Sequence, residues 1–162
     1  KSNLNQIRYK NGEIDFMNRN HFIETDWLQN NSSRVENVSA QYGKTATRRL
    51  TIDKAGWLKK IHKISTDIAP EFTTIEYVPY KNLSQPNNTE TMIVLFISAN
   101  SNSVEMLGTE LAVTHMGLLL PGGQTLRHAS SAAGHVVDAE FMKYSKRRRQ
   151  MGEMGVAFIA IK

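Results

Sequence analysis

Residues 114–131, THMGLLLPGGQTLRHASS, place two strand-forming segments on either side of a Pro-Gly-Gly turn. A glycine pair between two such segments is typical of a β-hairpin. A two-residue turn at Gly122 and Gly123 and a four-residue loop around them give the same register, in which Leu120 pairs with Thr125. The stretch therefore predicts two adjacent antiparallel strands.

The predicted register brings two histidines to one face of the sheet. Gly117 then faces His128, and His115 faces Ser130. Because alternate residues of a strand share a face, His115 and His128 become diagonal neighbours, with backbone positions roughly 7–8 Å apart. A three-residue loop would shift the register by one and send the two imidazoles to opposite faces.

A buried imidazole within apolar strands needs a hydrogen-bond partner or a catalytic or ligand-binding function. Two kinds of chemistry suit such a pair. In one, a histidine is the general base for a Cys or Ser nucleophile and the other histidine holds its tautomer. In the other, both bind a metal with a third ligand such as His135 or Asp138. The spacings match no compact ligand motif, so we expect no metal and no cofactor. Gly117 between the histidines predicts the close approach of a ligand or of another backbone.

The segments around the hairpin predict an α+β fold. MIVLFISA (residues 92–99) is a nearly continuous apolar run, which favours a strand covered on both faces, and GVAFIAIK (155–162) predicts a last central strand. HVVD (135–138) is a further strand candidate. Residues 138–155 predict a helix that stops near Gly155. We expect an antiparallel β-sheet with packed helices.

The first half of the chain predicts shorter elements. Residues 7–12, IRYKNG, favour a strand that ends in a turn, and residues 71–79 favour a strand that stops before its proline. Asp53 is a candidate N-cap for a helix, with His62 at its surface. The predicted buried stripe of this helix comprises Trp57, Ile61, Ile64 and Ile68.

The composition limits the classes of protein. The 162 residues, 40% of them apolar, suit one domain over residues 1–162, and the formal charge is +5. The basic run Lys146–Arg149 suits a solvated helix face or an anionic polymer, but no aromatic residues are interleaved with it, so we expect no nucleic-acid partner. No stretch approaches the roughly 20 apolar residues of a membrane span. The absence of cysteine excludes disulfides and a CxxC zinc site within this sequence.

Several motifs resemble a known family. The His-Met-Gly strand, the glycine turn and Arg-His-Ala-Ser resemble the second half of NlpC-type papain-like cell-wall peptidases. More specifically, the chain resembles bacterial N-acetylmuramoyl-L-alanine amidase-like proteins in four segments: IRYKNGEIDFMNRNHFIETDW, VPY, THMG and RHASSAAGHVVD. The resemblance implies a papain-like core, hydrolysis of amide bonds in peptidoglycan stem peptides, and a periplasmic or secreted location.

The resemblance also implies roles for individual residues. His115 corresponds to the base and His128 to the residue that orients the base. Gly117, as a strand glycine between them, is expected on its own account to contact the substrate. The nucleophilic cysteine of these relatives, at the start of a helix, has no counterpart here. We therefore expect this chain to be the C-terminal part of a larger enzyme that lacks the nucleophile-bearing N-terminal helix. An upstream segment with the cysteine would then be its partner, unless the chain has lost its nucleophile.

The Arg-Asn-His-Phe block supplies the other expected substrate contacts. Arg19 and His21 are expected to line the groove, with Arg19 on a peptide carboxylate, and Trp27 to stack on sugar or peptide. The structural alternatives place Trp27 in the core and pair Arg19 with Glu24 or Asp26.

Two other functions remain open at this point. One is a non-catalytic cell-wall-binding module that holds an anionic polymer with the same groove and the basic helix. The other is a histidine-ligated metal hydrolase. Loss of activity on substitution of His115 would distinguish an enzyme from a binding module.

Overall fold

A computed structural model describes residues 2–99 and 102–162, and the strands in this part of the chain form one antiparallel sheet. The strands are β1 (Val35–Asn37), β2 (Ala46–Ile52), β3 (Glu71–Pro79), β4 (Met92–Ser98), β5 (Val113–Leu119), β6 (Thr125–Ser130), β7 (His135–Glu140) and β8 (Glu153–Ile161). Their order is β2-β3-β8-β4-β5-β6-β7, and β1 also pairs with β8. The predicted α+β fold with an antiparallel sheet is confirmed.

Short helices connect and cover the strands. They are α1 (Asn3–Arg8), α2 (Leu28–Asn30), α3 (Lys54–Trp57), α4 (Ser103–Leu107) and α5 (Phe141–Gln150). A wider helical turn, Ile23–Trp27, leads into α2, and a similar turn, Leu58–His62, continues α3. Among the described residues, no helix has both the length and the apolar character that crossing a bilayer requires.

Strand β4 lies at the centre of the sheet because its side chains are apolar on both faces. Every residue from Met92 to Ile97 is buried, and β4 pairs with β5 on one side and β8 on the other. Alternation divides the core in two. The back face packs around Leu95, Ile97, Ala157 and Ile159. The front face packs around Val94, Phe96, Leu126, Phe141 and Phe158.

The β5–β6 hairpin has the predicted register. Leu119 pairs with Leu126, and the N–H of Leu120 donates to the carbonyl of Thr125 at 2.9 Å. Gly123 has a φ of +70°, and a Cβ there would lie 2.1 Å from the carbonyl oxygen of Pro86. Glycine is required at this turn because both the backbone angle and the available space exclude a side chain.

The N-terminal strand prediction is wrong. Residues 3–8 form α1, and the hydroxyl of Ser2 caps it by accepting from the N–H of Asn5 at 3.4 Å. Strand-like pairing in this segment is limited to an isolated antiparallel bridge between Tyr9 and Arg19. The predicted turn is confirmed, since Asn11 adopts a positive φ of 55°.

The capped helix after Asp53 is confirmed, but its buried stripe is not. The Asp53 carboxylate accepts from the N–H of Gly56 at 2.7 Å, and Trp57 packs against the back face. The helical turns end at His62, which is exposed as predicted, because Lys63 adopts a left-handed φ of 60°. The remaining members of the predicted stripe, Ile61, Ile64 and Ile68, are each at least 37% exposed.

Two strand boundaries and one whole strand differ from the predictions. Strand β3 includes Pro79, opposite Gly155. Helix α5 ends at Gln150, well before Gly155, which already lies within β8. Strand β2 was not predicted, because its sequence ATRRLTI is largely polar, yet it pairs with β3 along its whole length.

Candidate active site

The two predicted histidines meet on the front face of the sheet. His115 on β5 places its Nε2 3.0 Å from the Nδ1 of His128 on β6. The two rings are nearly perpendicular, with centroids 5.0 Å apart. The hairpin register thus brings the imidazoles together, as the sequence predicted.

A bulge at the start of β5 lies directly before His115. Ile97 pairs with Val113 and Phe96 with His115, so Thr114 is an extra residue in the ladder. The buried carboxylate of Glu24 accepts from the N–H groups of Ala112 and Val113, both at 2.9 Å. Glu24 therefore fixes the backbone two residues before His115.

Aromatic side chains hold the pair. The ring of Phe96 lies 5.7 Å from that of His115, and the ring of Tyr144, on α5, lies 4.6 Å from that of His128. His128 is buried and His115 is half-buried. A cavity of about 340 Å³ opens beside both imidazoles and is also lined by Ser130 and Arg147. The pair is accessible to a reactant.

The hydrogen bond between the rings constrains the tautomers. It occupies the Nε2 of His115 and leaves its Nδ1 without a hydrogen bond to any described residue. When the Nε2–H of His115 donates to His128, the His115 Nδ1 carries a lone pair and can accept a proton. This arrangement suits a base whose orientation is held by a second side chain.

Burial lowers the pKa of His115 below its ordinary value of 6.5, and the nearby charge of Arg148 and the neighbouring His128 lower it further. A buried imidazole resists protonation because the charged form loses hydration. At neutral pH His115 is therefore uncharged, the state that a general base requires.

We expect acidification from pH 7.5 to 5.5 to reduce the free energy of unfolding. His115 and His21 both have pKa values lowered mainly by burial, so the unfolded chain binds more protons than the folded chain as the pH falls through about 6.5. Urea unfolding at several pH values measures the effect. The double variant His115→Gln, His21→Gln should show a weaker dependence, and an unchanged dependence would contradict this assignment.

A charged network borders the pair on the side of α5. The guanidinium of Arg148 forms two hydrogen bonds with the carboxylate of Glu153, one of them from Nε at 2.9 Å. Glu153 also accepts from the hydroxyls of Tyr80 at 3.2 Å and Thr114 at 2.8 Å. Arg148 lies over the ring of Tyr144, 5.8 Å from its centroid. Sequence reasoning missed these residues, although Arg148 stood in the basic run.

Gly117 lies in close contact with β6. A Cβ at this position would lie 2.8 Å from Leu126 Cδ1, 2.9 Å from the Arg127 carbonyl oxygen and 3.0 Å from His128 Cβ. The predicted close approach is therefore that of the partner strand. A contact between Gly117 and substrate stays a prediction.

We expect Gly117→Ala to destabilise the fold by about 1–3 kcal/mol, because the added methyl group overfills the hairpin and displaces His128. Urea unfolding measures the change. Val136→Ala on β7, where the side chain is 60% exposed, is the control and should leave the unfolding midpoint nearly unchanged. Equal effects of the two substitutions would contradict the packing argument.

Neither His135 nor Asp138 forms a three-ligand cluster with the histidine pair in the described part of the chain. Asp138 forms two 2.8 Å hydrogen bonds with Arg127 and so lies on the back face, away from the histidine pair. Within residues 2–99 and 102–162, no three His, Asp or Glu side chains come together as a metal site. The metal chemistry considered from the sequence gains no support.

Arg19 and His21 lie in a different cavity. They line a space of about 260 Å³ together with Trp57. Arg19 does not pair with Glu24 or Asp26, the partners considered from the sequence; Asp26 instead pairs with Lys54. Trp27 packs against the back-face core, as its structural alternative proposed. The structure thus does not bring Arg19, His21 or Trp27 to the histidine pair.

The sequence matches a known family over most of its length. A family described as N-acetylmuramoyl-L-alanine amidase-like (AmiA-like) matches residues 1–152. The chain belongs to this amidase-like family. Family membership supports a peptidoglycan amidase-like function. Comparison with functionally curated proteins gave no significant match.

Solved structures share the fold of this amidase-like chain. A Legionella pneumophila protein of the DUF1460 family superposes with a TM-score of 0.84 at 21% identity, covering 98% of this chain and 67% of that one. Two structures of N-acetylmuramoyl-L-alanine amidase from Bacteroides uniformis give TM-scores of 0.69 and 0.71 at 24% and 22% identity, each covering 99% of this chain and 72% of those chains. At these identities the likeness establishes the fold.

Proposed function

We propose that residues 1–162 are the histidine-bearing part of a cysteine-dependent amidase that hydrolyses amide bonds of peptidoglycan stem peptides. The observation that carries the proposal is the 3.0 Å contact between His115 Nε2 and His128 Nδ1 beside an open cavity. Membership in the amidase-like family supplies the substrate class. The enzyme would act in the periplasm or outside the cell, where that substrate lies.

The thiol comes from outside this sequence, which contains no cysteine. His115 Nδ1 takes the proton of a thiol placed beside it, the resulting thiolate attacks the amide carbonyl, and His115 then delivers that proton to the leaving amine as the acyl-enzyme forms. Water activated by the same imidazole hydrolyses the acyl-enzyme and regenerates the thiol. His128 acts as a positioning residue because it holds the Nε2 side of His115.

Arg147 is suited to bind a carboxylate of the substrate. It lines the cavity beside the histidines, and it forms no ion pair with any residue in the described part of the chain, whereas its neighbour Arg148 is held by Glu153. A free guanidinium at this place favours an acidic peptide through charge-assisted hydrogen bonds.

We expect Arg147→Ala to raise KM about tenfold and to change kcat less than about twofold in the cysteine-containing form, because the lost contact serves binding in ground and transition states alike. Steady-state kinetics on muropeptides measures both constants. Arg149→Ala, an exposed arginine on α5 that does not line the cavity, removes the same charge and should leave KM unchanged. A similar rise in KM for both variants would indicate a general charge effect instead.

The proposal as a whole is tested by reconstitution. Residues 1–162 are combined with the cysteine-bearing segment that we propose, and muropeptide products are separated by chromatography and identified by mass spectrometry. We expect cleavage that requires both parts. Absence of cleavage from a correctly assembled pair would contradict the proposal and favour the cell-wall-binding module.

A further inference from the structure

The cavity that contains Arg19 is separate from the histidine groove. The two cavities share no lining residue. Phe22 and Trp57 form part of the wall of the cavity that contains Arg19, and they pack against the back-face core. His115 and His128 project from the front face instead. The sheet therefore stands between the two cavities, and one small ligand does not reach both.

An aromatic wall forms one side of this cavity. The ring of His21 lies 4.8 Å from that of Trp57, and the rings of Phe16 and His62 extend the cluster at 4.8 Å from His21 and 4.7 Å from Trp57 respectively. His21 Nε2 contacts the carbonyl oxygen of Phe16 at 2.8 Å. Its Nε2–H is therefore the donor, and Nδ1 remains an acceptor. Burial lowers the pKa of His21, which keeps the ring neutral at pH 7.

Not all cationic side chains of this cavity are neutralised by a carboxylate of the described residues. Lys54 is neutralised by ion pairs with Asp26 and Glu71. The other oxygen of Asp26 accepts from the N–H of His21 at 3.0 Å, so this carboxylate is fully engaged. Arg19 is exposed, and neither it nor Lys10 has a carboxylate partner in residues 2–99 and 102–162. The cavity therefore attracts an anionic group.

Amide side chains form much of the rim. The Nδ2 of Asn30 donates to the Oδ1 of Asn20 at 2.6 Å, and Asn20 in turn donates to the carbonyl of Ile7 at 2.9 Å. Asn18 and Gln29 line the same rim. Side-chain amides offer both donors and acceptors, which suits a ligand with several hydroxyl or acetamido groups.

We infer that this back-face cavity is a second binding site, for a saccharide that carries a carboxylate. The apolar face of the sugar ring packs on Trp57 and His21, the rim amides bind its polar substituents, and Arg19 binds the carboxylate bidentately. N-acetylmuramic acid has this chemistry. Where the stem peptide is attached this carboxylate is an amide, so the site would hold a glycan from which the peptide has been removed. It lies away from the histidine pair, and its binding of ligand does not depend on the cysteine mechanism proposed above.

The test titrates residues 1–162 with N-acetylmuramic acid and follows amide shifts by NMR. We expect saturable binding that Arg19→Ala weakens at least tenfold, while the charge-matched control Arg149→Ala leaves it unchanged. N-acetylglucosamine, which lacks the carboxylate, should bind at least fivefold more weakly. His115→Ala should leave binding intact, so failure of the amidase proposal would not affect this result.

Three outcomes would overturn the inference. They are no binding of N-acetylmuramic acid, equal affinity for the two sugars, and equal effects of the two arginine substitutions. Binding of D-alanyl-D-alanine in place of the sugar would also overturn it, because that result would assign the site to a peptide carboxylate. Arg19 and Arg149 are both exposed, so neither substitution removes buried packing. Circular dichroism of each variant verifies the fold.

Discussion

His115→Ala should reduce the amidase activity of the cysteine-containing form by about three or more orders of magnitude. The substitution removes the only side chain that we propose to transfer protons between thiol, leaving amine and water, and in enzymes of this type a single missing member of the catalytic unit has such an effect. Single-turnover cleavage of a purified muropeptide measures the loss, with urea unfolding as the check on folding.

The companion substitutions at His128 separate orientation from proton transfer. His128→Ala should lower kcat strongly, whereas His128→Asn should retain more activity, because an amide oxygen can still accept from His115 Nε2. If His128→Asn and His128→Ala were equally impaired, the orienting role would be wrong. A merely structural role would move the unfolding midpoint and leave the pH dependence of kcat unchanged, whereas a positioning role alters that dependence.

Arg148→Ala should lower the free energy of unfolding by about 3 kcal/mol. Its ion pair with Glu153 is largely shielded from solvent, with exposed side-chain fractions of 17% and 8%. Removing one partner leaves the buried carboxylate uncompensated, which costs more than the pair itself contributes. The double variant Arg148→Met, Glu153→Leu should therefore be more stable than Arg148→Ala alone. Urea unfolding of the three proteins provides the comparison.

A second ion pair provides the matched control. Arg127 and Asp138 also form two parallel hydrogen bonds between neighbouring strands, but their exposed fractions are 51% and 45%. Water replaces the lost partner at an exposed site, so Arg127→Ala should shift the unfolding midpoint far less than Arg148→Ala. Similar shifts for the two arginine substitutions would show that burial does not govern the stability of this network.

The parts of the fold that local interactions decide could be predicted from the sequence. The turn around Gly123 sets the register of β5 and β6, and the register alone places His115 beside His128. Asp53 caps α3 through a hydrogen bond to Gly56, three residues away. Strand β4 was recognisable because all of its side chains except Ser98 are apolar.

The parts of the fold that depend on contacts between distant residues could not be predicted from the sequence. Packing decides which strands α5 covers. The position of Tyr144 beside His128, and of Arg148 over Tyr144, was therefore not evident from the helical pattern. Strand β2 is polar in sequence and owes its conformation to pairing with β3. The aromatic wall around Trp57 joins residues from two separate segments, which no local pattern connects.

The measurement that tests the central claim most directly is muropeptide cleavage by the cysteine-containing form after treatment with iodoacetamide or with a metal chelator. Because His115 accepts the proton of the thiol, the cysteine should react faster than a free cysteine at neutral pH, so we expect iodoacetamide to abolish cleavage, a much slower alkylation in His115→Ala, and no effect of the chelator. Cleavage that survives complete alkylation, or that the chelator stops, would contradict the account.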